Sequence, residues 1–229
     1  MLPTETLDII LLTLRIAATA LVLGLPVALV TGYALARWRF PGKTLVSALV
    51  NVPLVLPPVA TGYGLLILFG RTGPVGQVLY DWFGVTLAFQ WTGAALAAAI
   101  MAFPLMVRPI RLSFEAVDPK LRPAAETLGA SRLTVLRTVT LPLAFPGILA
   151  AGILGFAKAM GEFGATITFV SNIPGETRTI ALAIHTLTQV PDGERAVLVL
   201  IAISLGISIV AIALSEVVAE RVSRAARAL

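Results

Sequence analysis

The 229-residue sequence contains no cysteine and only one histidine, His185. The absence of cysteine excludes disulfide bonds, thiolate zinc sites and a cysteine nucleophile. A single histidine leaves no cluster of imidazoles to hold a metal ion. We therefore expect no metal site and no catalytic residue in this chain. An intramembrane enzyme, which needs a paired set of catalytic side chains, is disfavoured for the same reason.

Charged residues are also scarce, at 13% of the chain against about 25% in an ordinary soluble domain. Hydrophobic residues make up 58%, and the mean hydropathy is +0.94. A soluble fold of this size would expose large apolar patches with such a composition, whereas lipid accommodates apolar side chains on the outside of a fold. The composition predicts an all-α membrane protein in contact with the lipid bilayer.

Five apolar stretches are long enough to cross a bilayer. The second contains Pro57 and Pro58, so we expect a kinked span that lines a pathway. The segment 166–190 has too few consecutive apolar residues to span; it is either an outer loop with a short helix or a sixth, partial insertion. The five stretches are residues 7–36, 45–69, 91–107, 143–165 and 196–218.

The seventeen basic residues are scattered between the apolar stretches without a basic stripe, so a net charge of +5 does not indicate nucleic-acid binding. Most of them fall in loops on one side of the predicted spans. The positive-inside rule makes that side cytoplasmic. With five crossings, the N-terminus, which carries Glu5 and Asp8, lies outside and the C-terminus inside.

The longest cytoplasmic loop, residues 112–140, is mostly amphipathic and helix-capable. Asp118-Pro119 is predicted to open a short helix, with proline at its first position. Ala124 and Ala125 give that helix a face of small side chains, which a partner can approach closely. Gly129 can adopt the positive φ that ends a helix. The loop therefore has the properties of a docking element.

Ala124-Ala125, with Gly129 four residues on and Leu141-Pro142 after it, resembles the EAA loop of the permeases of binding-protein-dependent ABC transporters. Residues 161–170 (GEFGATITFV) and 171–179 (SNIPGETRT) resemble the molybdate-type members of that family. The resemblance covers nearly the whole chain and implies a type I ABC importer permease fold with a cytoplasmic coupling helix. It departs from the family pattern at Pro123, where the motif glutamate belongs, and Glu126 stands three residues before the glycine.

The resemblance implies a coupling surface for an ATPase subunit. Its expected residues are Leu121, Ala124, Ala125, Glu126, Leu128, Gly129, Ala130 and Arg132. The implied organisation is a permease domain over 7–218, with the coupling loop 112–140 inside it and a basic cytoplasmic tail at 219–229.

The implied function is ATP-driven import of molybdate, and also tungstate, across the bacterial inner membrane by alternating access. The implied partners are a second copy of the chain, two ATP-binding subunits and a periplasmic molybdate-binding protein. ATP and Mg²⁺ would bind the ATPase subunits: Gly42-Lys43-Thr44 matches only the end of a P-loop, since Arg37 occupies the place of its first glycine. The alternatives are a permease for sulfate or another oxyanion and a self-sufficient secondary transporter.

Four residues are candidates for the pathway or its gate: Pro57, Pro58, Glu162 and Phe163. An ionisable residue within a span is costly and indicates a functional site by default. Glu162 has a second interpretation, because Lys158 precedes it by four residues and the two would form an ion pair along one helix face. The sequence leaves both roles open.

Overall fold

A computed structural model describes the backbone of residues 3–227 and the side chains of residues 5–121, 123–211 and 213. Within that part of the chain every regular element is helical. The helices are α1 (Pro3–Arg37), α2 (Lys43–Val55), α3 (Pro58–Phe69), α4 (Pro74–Phe83), α5 (Trp91–Ala116), α6 (Leu121–Thr127), α7 (Arg132–Val135), α8 (Leu141–Met160), α9 (Gly164–Val170), α10 (Ile180–Leu187) and α11 (Glu194–Arg227); a π-helical turn (Leu136–Thr140) joins α7 to α8.

Four stretches are long and apolar enough to cross a membrane: α1, α5, the continuous Arg132–Met160 rod that α7 and α8 form, and the first half of α11. The second predicted span, residues 45–69, is divided into α2 and α3, which are bent by 112° relative to each other. The bend is explained by the two prolines. Leu56 is extended, as residues before proline usually are, and Pro58 can only begin a new helix. The predicted kink is confirmed.

The bent α2–α3 pair nevertheless traverses the bundle. Ser47 of α2 accepts a hydrogen bond from Arg111, near the C-terminal end of α5. Leu65 of α3 packs instead with Ala94 and Ala98, near the N-terminal end of α5. The end of the bundle that holds α6 is called the α6 end below, and the end that holds Trp91, α9 and α10 is called the opposite end. The pair contacts both ends of the bundle, so the described residues give four spans, or five if the bent pair is counted as one.

The core of the bundle is built from α1, α5 and α8, which pack through small residues. Gly147 of α8 faces Ser113 of α5 so closely that an added Cβ would clash with the backbone carbonyl of Pro109. Gly32 of α1 meets Ile110 in the same way. Such contacts let helix backbones approach closely. In lipid, where the hydrophobic effect does not drive helices together, this close packing holds them in place.

The ambiguous segment 166–190 forms two short helices rather than a span. Helix α9 has seven residues and α10 has eight, so neither is long enough to cross. Both are packed into the opposite end, where Phe169 and Leu182 are buried. The Thr13 hydroxyl of α1 accepts a hydrogen bond from the Ile180 backbone N–H at the start of α10, at 2.9 Å. The segment is therefore integrated into the bundle and is not a free loop.

The observed helix boundaries differ from the predicted segment boundaries by a few residues. Helix α5 continues to Ala116, and the next rod begins at Arg132, so the coupling loop proper covers only residues 117–131. The fourth span ends at Met160 instead of continuing to residue 165. Helix α11 continues through the predicted tail to Arg227, but the side chains of the tail, 219–229, lie outside the described residues.

Candidate functional site

The α6 surface, defined as residues 121–133, is an exposed apolar projection at one end of the bundle. Helix α6 packs against α7 and leaves most of its own side chains open. Leu128, at its end, is 89% exposed, and Leu121 and Leu133 are also exposed. Three exposed leucines therefore lie on one short projection of the chain.

Gly129 gives α6 a defined end. Its φ of +84° is the left-handed conformation that glycine adopts without strain. The Gly129 N–H donates to the carbonyl of Glu126, and the Ala130 N–H donates to the carbonyl of Ala125. This pair of hydrogen bonds is the Schellman motif that satisfies the last carbonyls of a helix. The prediction that Gly129 ends the helix through a positive φ is confirmed.

The start of α6 differs from the prediction. The Asp118 carboxylate accepts a hydrogen bond from the Lys120 backbone N–H at 2.8 Å, so Asp118-Pro119 forms a turn. The helix begins two residues later, at Leu121. An aspartate side chain that bonds to the backbone two residues on stabilises a turn in place of a helix start.

Three contacts hold α6 in place: one joins the preceding residue Val117 to α1, one lies within the α6 surface, and one caps α7. A terminal nitrogen of the Arg37 guanidinium, at the end of α1, donates to the Val117 carbonyl at 2.9 Å. Glu126 and Arg132 approach to 4.0 Å on the outside of the projection. The Ser131 hydroxyl accepts from the Thr134 N–H and caps α7. A short α6 is therefore held between the end of α1 and the start of the Arg132–Met160 rod.

Glu162 lies at the break between α8 and α9 and is only 2% exposed. One of its oxygens is 2.6 Å from the Lys158 ammonium, and the other accepts a hydrogen bond from the Ala165 N–H at 3.0 Å. The carboxylate thus completes the last turn of α8 and satisfies an N-terminal donor of α9. The sequence indicated the ion pair but gave no signal for the contact with Ala165.

The other gate candidates lie close to the same break. Pro58, the first residue of α3, is so near Gly164 that a Cβ added there would lie 2.6 Å from the Pro58 Cβ. The ring of Phe163 is 4.8 Å from that of His185, measured between centroids. Pro57 precedes Pro58 at the bend. The structure therefore brings all four gate candidates to one region, where the bend of the second span meets the break in the fourth.

Sequence reasoning missed a polar pocket at the α6 end. Arg108 and Arg111, which follow the third predicted span (91–107), are on the last turns of α5, and they face Ser47 and Asn51 of α2. The i, i+3 spacing of the arginines and the i, i+4 spacing of Ser47 and Asn51 were the available signals. Among the described residues no three His, Asp or Glu side chains lie together as a metal site would require.

The comparisons with known proteins agree with the architecture. A family model described as "Binding-protein-dependent transport system inner membrane component" matches residues 13–224. A chain in the crystal structure of a bacterial ABC transporter involved in the import of alginate superposes with a TM-score of 0.72 at 16% identity, over 97% of this chain and 80% of that one. The fold is that of the type I ABC importer permeases.

Curated relatives are similar over most of their length. The molybdenum transport system permease protein ModB of Escherichia coli (strain K12) is 53% identical over 94% of this chain and 93% of its own. The protein of that name from Haemophilus influenzae (strain Rd) is 48% identical, with 93% of each chain covered. The sulfate transport system permease protein CysT of Salmonella typhimurium (strain LT2) is 38% identical over 70% of this chain and 58% of its own. The chain belongs to the family of binding-protein-dependent transport system inner membrane components, which are multi-pass permease subunits.

Proposed function

We propose that this chain is the membrane-spanning subunit of an ATP-driven importer whose cargo is molybdate, with tungstate as a second oxyanion. The identity of 53% to a molybdenum permease over nearly the whole chain carries this assignment. Sulfate is the alternative cargo, and the weaker match to a sulfate permease supports it less.

The α6 surface would seat in a cleft of an ATP-binding subunit. Its exposed leucines provide the apolar contact, and the Schellman motif at Gly129 holds Leu128 outward. ATP and Mg²⁺ would bind in that partner, and this chain would perform no covalent chemistry. The proposed contact residues are Leu121, Ala124, Ala125, Glu126, Leu128, Gly129, Ala130 and Arg132.

Two copies of the chain, related by a two-fold axis, would enclose the route and present two α6 surfaces to two ATP-binding subunits. Basic residues on the loops and helix ends of the α6 end, including Arg39 and Lys120, make that end cytoplasmic by the positive-inside rule. The N-terminus then lies outside and the C-terminus inside. A periplasmic molybdate-binding protein would deliver the oxyanion to the opposite end.

The Arg132–Met160 rod offers a mechanical path from the α6 surface to the gate candidates. Its 29 residues span about 43 Å at 1.5 Å per residue. It begins at the end of the α6 surface and ends beside Glu162. When ATP binding draws the two ATPases together, a displaced α6 would move the rod and the break that touches Pro58. Pro57, Pro58, Glu162 and Phe163 would then open or close the route.

Reconstituted uptake tests the proposal. The chain in proteoliposomes with its ATPase and delivery protein should accumulate molybdate when ATP is supplied, with sulfate a poorer cargo. The purified chain alone should show neither ATPase activity nor uphill transport. Accumulation by the chain alone, driven by an ion gradient without ATP, would instead identify a secondary transporter and overturn the proposal.

A further inference from the structure

A polar pocket of about 250 Å³ lies at the α6 end, between α2 and α5. Ser47 and Asn51 are one turn apart on α2 and project from the same face. Arg108 and Arg111 are one turn apart on α5 and face them across the pocket. Two helices that are distant in sequence thus direct hydroxyl, amide and guanidinium donors into one space.

The donors in this pocket are only partly used. A terminal nitrogen of Arg111 donates to the Ser47 hydroxyl oxygen at 3.3 Å, so the Ser47 hydrogen is still available. The Asn51 amide gives one hydrogen to the Ser47 carbonyl and keeps the second. Among the described residues, none forms a hydrogen bond or an ion pair with the Arg108 guanidinium.

We propose that this pocket binds a divalent tetrahedral oxyanion and is the last site that the cargo occupies before it leaves the permease. This inference rests on the proposed function, because it names the residues that contact the cargo at the α6 end. Planar guanidinium groups match the oxygens of such anions and form charge-assisted hydrogen bonds with them.

The charge of the pocket suits release. Arg111 forms an ion pair with Glu115 at 2.7 Å, which offsets one of the two guanidinium charges. Arg108 is left as the uncompensated cation facing a dianion. A transport site has to attract its cargo and still let it go, so incomplete compensation of charge is an advantage here.

Thiol protection tests the proposal directly, because the chain has no native cysteine. Leu112 lines the pocket without contributing a donor, so L112C reports on occupancy. The full chain with L112C, in phosphatidylcholine nanodiscs, is treated with a neutral methanethiosulfonate at increasing molybdate or sulfate concentrations. Both anions should slow labelling.

Substitutions at Arg108 identify the contact. R108Q should raise the molybdate concentration needed for half-protection by about tenfold or more, since a charge-assisted bond is lost. R108K, which keeps the charge without the planar fork, should fall between R108Q and the parent. R39Q removes an exposed arginine at the same end and should change nothing, which controls for net charge and folding.

Three outcomes would overturn the inference: no protection by either anion, equal protection in R108Q, or slowed labelling only when phosphatidylglycerol replaces phosphatidylcholine. The last would mean that a lipid headgroup phosphate occupies the pocket. ATP-driven uptake by the cysteine-free chain is measured in parallel. Uptake without protection would contradict only the proposed anion pocket. Protection without uptake would contradict the proposed transport function.

Discussion

Two ion pairs of the same spacing show how position decides what a charge does. Arg111–Glu115 and Lys158–Glu162 are both i, i+4 pairs within helices. The Glu115 side chain is 38% exposed, so water weakens its attraction to arginine. Glu162 is buried and holds both Lys158 and the first turn of α9. The same sequence spacing therefore gives a surface pair in one case and a structural joint in the other.

E162Q should destabilise the chain by about 3 kcal/mol, because it leaves the Lys158 ammonium without its buried partner. E115Q, the matched control, should cost less than about 1 kcal/mol. Thermal unfolding in detergent measures both. The double variant K158M/E162Q should recover part of the loss, because it removes the isolated charge. Equal effects of E162Q and E115Q would contradict the structural role of the buried pair.

At the scale of elements, the α6 surface depends on how one helix ends. The Schellman hydrogen bonds require a positive φ at Gly129, and the added Cβ of any other residue is strained there although the surrounding space is open. Gly84 ends α4 with a φ of +65° and is equally open, but it lies away from α6. The two glycines form a matched pair for separating local strain from coupling.

G129V should reduce ATP-driven uptake by about tenfold or more, since about 1–2 kcal/mol of strain unwinds the last turn of α6 and displaces Leu128. The chain should still insert in the membrane. G84V carries the same strain at another helix end and should transport normally. Uptake and co-purification of the ATPase are the measurements. Normal uptake by G129V, or equal losses in both variants, would count against the docking role of α6.

The elements that sequence predicted best are those with a local cause. Apolar length predicted the four long spans and the segment that forms the bent α2–α3 pair, and two adjacent prolines predicted the bend at Pro57. Local pattern also suggested the positive φ of Gly129. The turn at Asp118 was misjudged because an aspartate before proline is compatible with either a turn or a helix start, and the side-chain hydrogen bond to Lys120 decides between them.

The candidate site was predictable in its residue types but not in its assembly. Lys158 and Glu162 were recognisable as a pair from their spacing. The approach of Pro58 to Gly164 joins residues over 100 positions apart, and it depends on how α3 packs against α9. Arg108 looked like an ordinary loop residue because helix ends are uncertain in sequence, and its neighbours on α2 become visible only in three dimensions.

At the scale of the whole molecule, the main feature of the chain is a series of connected helices that can transmit movement, and not a reaction site. The α6 surface, the Arg132–Met160 rod and the break at Glu162 form one continuous line from one end of the bundle to the other. Arg37 also joins α1 to that line through the Val117 carbonyl. A partner that moves α6 would therefore act on the spans directly.

The most direct test asks which side of the membrane α6 occupies and what covers it. Leu128 and Trp82 are the matched probes: both are highly exposed, the first at the α6 surface and the second on α4, next to the opposite end. In intact cells, a membrane-impermeant thiol reagent should label W82C and leave L128C unlabelled. In inside-out vesicles L128C should react only after the ATPase subunit is stripped away. Labelling of L128C from outside intact cells would contradict the account.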